Sequence, residues 1–223
     1  MNLSKCYDFF RPEDCRDRIH IIGCGAIGST VAENLVRFGL TDITLYDFDK
    51  VEDKNIANQM FTHEDIGKTK VQALADYLVK INPDVAHRLR LADQGYKSQR
   101  LSGYVFLCVD NIDLRRQIAQ ANRGNNFIKA MFDFRMRLTD AQHYAAAWDD
   151  QKMVKAFLNS MDFTHEEAKQ ETPVSACNIT LSVCPTVRTI VALGVSNFIN
   201  FVKGGGLKKM IMIDAFAHTV DAF

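Results

Sequence analysis

RIHIIGCGAIGSTVAENLVRFGLTDITLYD, residues 18–47, is the stretch that decides the fold class. Residues 18–22 read as a short buried strand. The run Gly23-Cys24-Gly25-Ala26-Ile27-Gly28 follows it as G-x-G-x-x-G. From Ser29 to Phe38, apolar Val31, Leu35 and Phe38 recur at helical spacing, and Gly39 stops the helix. Residues 42–46 read as a second strand ending at Asp47. A strand, a glycine turn, a helix and a strand in that order demand parallel pairing. The first glycine permits a tight turn, the second lets an anion approach the backbone, and the third lets helix and strand pack closely. Helix-start amides and the helix dipole then favour a phosphate. Asp47 stands 19 residues beyond Gly28, where an acid can accept from ribose hydroxyls. A tight turn that binds nothing is the alternative, and the full strand–loop–helix–strand–acid order argues against it.

Outward from this unit, Asp47 to Gly67 is irregular. Lys68 to Lys80 is helical by pattern, with Val71, Leu74, Ala75 and Leu78 on one face, and Asn82-Pro83 ends it. Residues 85–91 alternate like a half-exposed strand. Residues 104–109 form a continuous apolar run, as in a strand covered on both faces. Asp110-Asn111 sits at its end, and Asp113 can cap a helix running through Asn122. Residues 126–132 and 139–148 are the next candidate strands, and Asp149-Asp150 reads as a solvated helix start. Residues 159–178 lack a period and contain Pro173, so they read as a loop with at most one helical turn. Residues 184–202 are helical, Gly204-Gly205-Gly206 is a turn, and 208–214 is a last strand. Alternating strands and helices point to an α/β fold: a Rossmann-like, mostly parallel sheet flanked by helices, its later strands antiparallel.

Composition narrows the function classes. Of 223 residues, 47% are hydrophobic, enough for a substantial core. Lys plus Arg number 27, as do Asp plus Glu, so the formal net charge is zero. That balance disfavours a nucleic-acid binder and a disordered chain. The six cysteines (Cys6, Cys15, Cys24, Cys108, Cys177, Cys184) contain no C-x-x-C pair. Reduced thiols in a cytoplasmic protein are the simpler reading, and no zinc is expected. The N-terminus has no apolar signal-peptide core. The longest apolar stretch, Val183 to Val202, carries Pro185, Arg188, Asn197 and Asn200, which suits a buried helix and not a membrane span.

Beyond the glycine loop, several motifs stand in a fixed order. They are Asp47-Phe48-Asp49, Asn55-Ile56-Ala57-Asn58-Gln59, Gly67-Lys68-Thr69-Lys70, Ile81-Asn82-Pro83, Asp110-Asn111 and Cys177-Asn178-Ile179, the last followed by the Pro185-containing helix. This set resembles the ubiquitin-activating, ThiF/MoeB-type adenylating superfamily over most of the chain, most strongly over 18–111. The resemblance implies a single adenylation domain over 1–223, with residues 1–17 as an N-terminal extension and 159–178 as a mobile crossover loop. It implies an ATP- and Mg²⁺-dependent adenylyltransferase acting on the C-terminal carboxylate of a small ubiquitin-like or sulfur-carrier protein. It also implies a homodimer.

Residue by residue, Asp47 resembles the family's ribose ligand, Lys70 its phosphate-contacting cation and Asp110 its Mg²⁺ ligand. The nucleotide-binding set would be Gly23, Gly25, Ala26, Ile27, Gly28, Asp47, Asp49, Asn55, Asn58, Gln59, Lys70, Asp110 and Asn111. Without the resemblance, Lys70 reads as a solvated lysine and Asp110 as a helix cap. Cys177 resembles a loop cysteine that accepts the acyl group as a thioester in some members, though a lone cysteine is more often a small apolar residue. Asn58 departs from the family's usual Arg, and the resemblance implies a compensating Arg among Arg11, Arg16 and Arg18, supplied within the chain or across a dimer interface. Three other readings stay open: a peptide or tRNA-borne carboxylate as acceptor, a half-active or non-catalytic partner subunit, and an NAD(P) oxidoreductase.

Overall fold

Strand β1 (Ile19–Ile22) is buried along its whole length, as its three isoleucines suit, with His20 the one polar residue. It pairs in parallel with β2 (Ile43–Tyr46) on one side and β4 (Gly103–Leu107) on the other. The computed structural model describes residues 1–171, 174 and 181–223, with side chains except that of Glu171. In it, eight strands form one sheet in the order β3-β2-β1-β4-β5-β6-β7-β8. Strands β1 to β5 are parallel, with β3 at Arg90–Ala92 and β5 at Ile128–Met136. Strands β6 (Asp140–Ala147), β7 (Met210–Asp214) and β8 (Thr219–Ala222) add antiparallel.

Helices cover both faces. On one side α1 (Ala26–Arg37), α2 (Lys70–Ile81) and α6 (Cys184–Val202) enclose a core with Phe106, Phe132, Phe134 and Phe198 at its centre. The Phe106 and Phe132 rings stack at 4.7 Å, and Phe198 meets both edge-on. On the other side α3 (Ile112–Ala121) and α4 (Gln151–Asn159) cover Val105, Leu107 and Met131. Helix α5 (His165–Glu171) follows α4.

The differences from the sequence reading have local causes. Residues 83–87 form a 3₁₀ turn capped by Asn82 in place of strand, leaving only Arg90–Ala92 paired. Asn111, not Asp113, caps α3: its Oδ1 accepts from the Leu114 amide at 3.0 Å. Asp150 caps α4, a helix that its mixed composition conceals. Residues 165–171 are helical, more than the single turn expected of the 159–178 stretch. Strand β8 is exposed throughout and gave no apolar signal. Among the described residues no helix is long and apolar enough to cross a membrane.

Candidate active site

The glycine loop joins β1 to α1 at the carboxyl edge of the sheet, where crevices in open α/β sheets lie. Gly23 has φ +95°, and a Cβ there would lie 2.7 Å from the Cys108 carbonyl carbon and the Val109 nitrogen. A Cβ at Gly28 would stand 1.8 Å from the Gly23 carbonyl oxygen. Gly25 differs: a Cβ there would meet nothing within 4 Å. The second glycine therefore faces open space, as the approach of an anion requires. Gly25 is also the N-cap of α1 and supplies no side-chain cap. The first helical bond runs from the Ser29 amide to the Gly25 carbonyl, so the amides of Ala26, Ile27 and Gly28 precede the helical ladder.

Asp47 ends β2 beside this loop. Its two carboxylate oxygens accept from the Cys24 amide at 2.6 Å and the Asp49 amide at 2.9 Å. Burial raises its pKa, against the pull of those two amides and of Lys70. Asp49 in turn accepts from Lys70 Nζ at 2.8 Å, and the Lys70 amide donates to the Asp49 carbonyl. Lys70 is buried, so its reading as a solvated surface lysine is set aside. Phe48, between the two aspartates, is exposed, and its ring lies against Gly95 in the loop after β3.

Asp110 follows Cys108 and Val109, the two residues after β4, which border Gly23. Its side chain is exposed and carries no hydrogen bond or ion pair among the described residues. Since Asn111 provides the cap of α3, Asp110 is not needed for one. Among the described residues no three His, Cys, Asp or Glu side chains gather into a metal cluster. A cation at Asp110 would thus take one hard carboxylate oxygen from these residues and complete its shell with phosphate and water, as magnesium does.

The Asn55–Gln59 segment serves the loop itself. Asn55 is buried, and its Oδ1 accepts from the Glu52 amide. Asn58 Nδ2 donates to the carbonyl and the hydroxyl of Ser182, at 3.2 and 2.8 Å, just before α6. Gln59 Oε1 is buried without a hydrogen-bond partner among the described residues. The arginines considered as substitutes for a cation at position 58 are engaged elsewhere. Arg18 pairs with Asp42 and donates to Thr44 Oγ1, Arg11 lies over the Tyr7 ring, and Arg16 donates to the Glu13 carbonyl. Cys177 lies outside the described residues. Cys184 is half-buried; it opens α6, with Arg188 Nε 3.5 Å from its sulfur.

Sequence reading missed a buried ion cluster next to this edge. Asp133, fully buried within β5 beside Leu107 of β4, binds Arg115 through one oxygen and Arg135 through the other, each at 2.6 Å. Burial alone would raise the Asp133 pKa, but the two guanidiniums hold it below the ordinary range. Nothing in the local pattern marks these residues, which come from α3 and β5 and are united only by the fold.

The geometry can be set beside known proteins. A sequence model of the ThiF family matches residues 15–221. Ubiquitin-like modifier-activating enzyme 5 of Drosophila mojavensis is 32% identical over 142 residues, covering 56% of this chain and 35% of that enzyme. The Caenorhabditis briggsae enzyme of the same name is 32% identical over 133 residues, 52% of this chain and 31% of its own. The chain therefore spans about a third of the length of these relatives. Among solved structures, E. coli MccB superposes with a TM-score of 0.74 at 16% identity, covering 95% of this chain and 63% of MccB. PaaA gives 0.70 at 14% identity, covering 95% and 65%. At these identities the likeness shows a shared fold.

Proposed function

We propose, from the premise that this chain belongs to the ThiF family, that it adenylates the C-terminal carboxylate of a small ubiquitin-like or sulfur-carrier protein. One observation carries the proposal: the open face of Gly25, the Asp47–Asp49–Lys70 chain and the unpartnered Asp110 share one sheet edge. The relatives bear the name of ubiquitin-like modifier-activating enzymes. E. coli MccB is known with ATP and with MccA.

In this reading the triphosphate lies over the amides of Ala26, Ile27 and Gly28. Asp47 accepts from the ribose hydroxyls with lone pairs not used by its two amides. Lys70, held by Asp49, faces the phosphates as a point charge, and Asp110 would hold Mg²⁺, which supplies charge neutralisation. The acceptor's carboxylate oxygen bonds to the α-phosphorus while the bridging α–β oxygen bond breaks and pyrophosphate leaves. Attacking and attacked groups are both anionic, so neutralisation and in-line placement are what the site must contribute. Asn55, Asn58 and Gln59 shape the loop beneath the phosphates. Cys177 is the candidate acyl acceptor for a following thioester step, and a second copy of the chain is the proposed partner in a homodimer. The chain acts as one adenylation unit.

A second reading has its own observation. Asn58 is neutral and is committed to Ser182, so position 58 offers the triphosphate no positive charge. That favours a half-active subunit completed by a related chain. ATP–pyrophosphate exchange by the purified protein with C-terminal Gly-Gly acceptors tests both. Acceptor-dependent exchange by this chain alone supports the first reading, and exchange that appears only after a second family member is added supports the other. No exchange in either arm removes the adenylation proposal.

A further inference from the structure

The Asp110 carboxylate makes no hydrogen bond or ion pair among the described residues, so its placement follows from the backbone that carries it. That backbone is gripped from both sides. The Val109 carbonyl, one residue earlier, accepts from Arg115 Nε at 2.7 Å and also from Nη2. Asn111, one residue later, is locked as the N-cap of the helix that carries Arg115. Arg115 is itself fixed: Nη1 donates to the buried Asp133 carboxylate and to the Phe134 carbonyl. Asp133 is held from its other side by Arg135, which donates onward to the Ser160 carbonyl and hydroxyl at the end of α4. Tyr144 and Phe163 pack on the Arg135 guanidinium.

A buried ion cluster is a costly way to stabilise a fold, since apolar side chains of similar volume do as well or better. What it does supply is orientation. A guanidinium has five donors in a rigid plane, and Arg115 spends them on one carboxylate and two carbonyls, one of which is the bond next to Asp110.

We propose that Arg115 is the positioning residue for Asp110, holding it through the Val109 carbonyl, and that Asp133 and Arg135 fix Arg115 for that task. The inference rests on the reading of Asp110 as the magnesium ligand. Arg115 does not touch the ion; it acts as the outer support that fixes a ligand's direction, and loss of such support typically weakens metal binding about 10- to 100-fold.

The test is ATP binding to the full chain by calorimetry, titrated with Mg²⁺ and repeated in EDTA, with the melting temperature of each variant recorded. Arg115→Lys keeps a charge beside Asp133 but cannot bridge to Val109. It is expected to raise the Mg²⁺ concentration for half-maximal enhancement about tenfold, while metal-free ATP affinity stays within about twofold. Asp110→Asn is expected to abolish the enhancement. If Asp110→Asn abolishes it and Arg115→Lys leaves it at the wild-type value, the positioning role is overturned and the metal reading stands. If Asp110→Asn keeps the enhancement, or the wild type shows none, the metal reading fails and the inference fails with it. An equal loss of affinity with and without Mg²⁺ in Arg115→Lys would mark a merely structural role and also overturn it. Should Arg115→Lys not fold, Arg135→Lys loosens Asp133 from its other side. It is expected to move the Mg²⁺ requirement in the same direction by about two- to threefold, and no shift there overturns the proposal.

Discussion

Gly25 and Gly28 are both glycines of one loop, yet the structure separates what each is for. At Gly28 a methyl group would collide with the Gly23 carbonyl oxygen, so Gly28→Ala is expected to destabilise the fold by several kcal/mol, about 3 or more. At Gly25 the space is empty and φ is −75°. Gly25→Ala gives up only glycine's N-cap preference and is expected to lower the melting temperature by about 4 °C or less, while ATP affinity falls at least about tenfold because the methyl occupies the phosphate's approach. Thermal melts and ATP titration of the two variants check the contrast; normal ATP binding by Gly25→Ala would place the phosphates elsewhere. Lys70→Ala keeps the half-exposed Asp49 solvated. It is expected to slow acceptor-dependent pyrophosphate exchange by about 100-fold or more, in line with loss of a charge from a phosphoryl-transfer site. At this scale Gly23, Gly28 and Asp47 were legible in the sequence because each is a local necessity of the turn. The burial of Lys70 was not legible, because a lysine opening a helix gives no sign of it.

Elements were legible where period and length agreed. Helix α6 was read over its observed bounds, since Val187, Ile190, Val191, Val195 and Phe198 keep a helical period and are buried. Only the start of α4 was read, at Asp149-Asp150, because the helix is short and mixed in polarity, and strand β8 was missed because it is an exposed edge with no apolar alternation. The cap of α3 was placed two residues late because Asn111 and Asp113 are equally good cap types, and only the Leu114 amide geometry chooses between them. The packing of α6 on the sheet depends on Gly194, where a Cβ would lie 2.3 Å from the Phe134 ring and 3.2 Å from His143 Nδ1. Gly194→Ala gains helix propensity but overpacks this contact, and a net loss of about 1–3 kcal/mol in urea unfolding is expected. A neutral or stabilising result would mean that α6 and β5 can separate more easily than their contact implies.

Across the whole molecule, charge is balanced, but two histidines are folded away neutral. Burial, with Arg18 and Arg90 near His20, lowers that imidazole to about 4, and burial lowers His143 to about 4 despite the nearby Asp133. In the unfolded chain both titrate near 6.5. Above that pH neither state is protonated and the pair adds no pH dependence. Between 6.5 and 4 only the unfolded chain takes up protons, so stability falls as pH drops, by about 1.4 kcal/mol per pH unit for each histidine. Urea unfolding at pH 7, 6 and 5 should show this slope, and His20→Gln with His143→Gln should flatten it; a flat wild-type profile would contradict the burial. The first parallel pair of the sheet was legible from residues 18–47, whereas the Arg115–Asp133–Arg135 cluster was not, because it exists only once α3, β5 and α4 are assembled. The most direct measurement of the central claim is a crystal structure of the protein with Mg²⁺ and a non-hydrolysable ATP analogue. The account predicts phosphates on the amides of Ala26 to Gly28, ribose at Asp47 and the ion at Asp110. An empty crevice, or a nicotinamide dinucleotide bound there in preference to ATP, would contradict it.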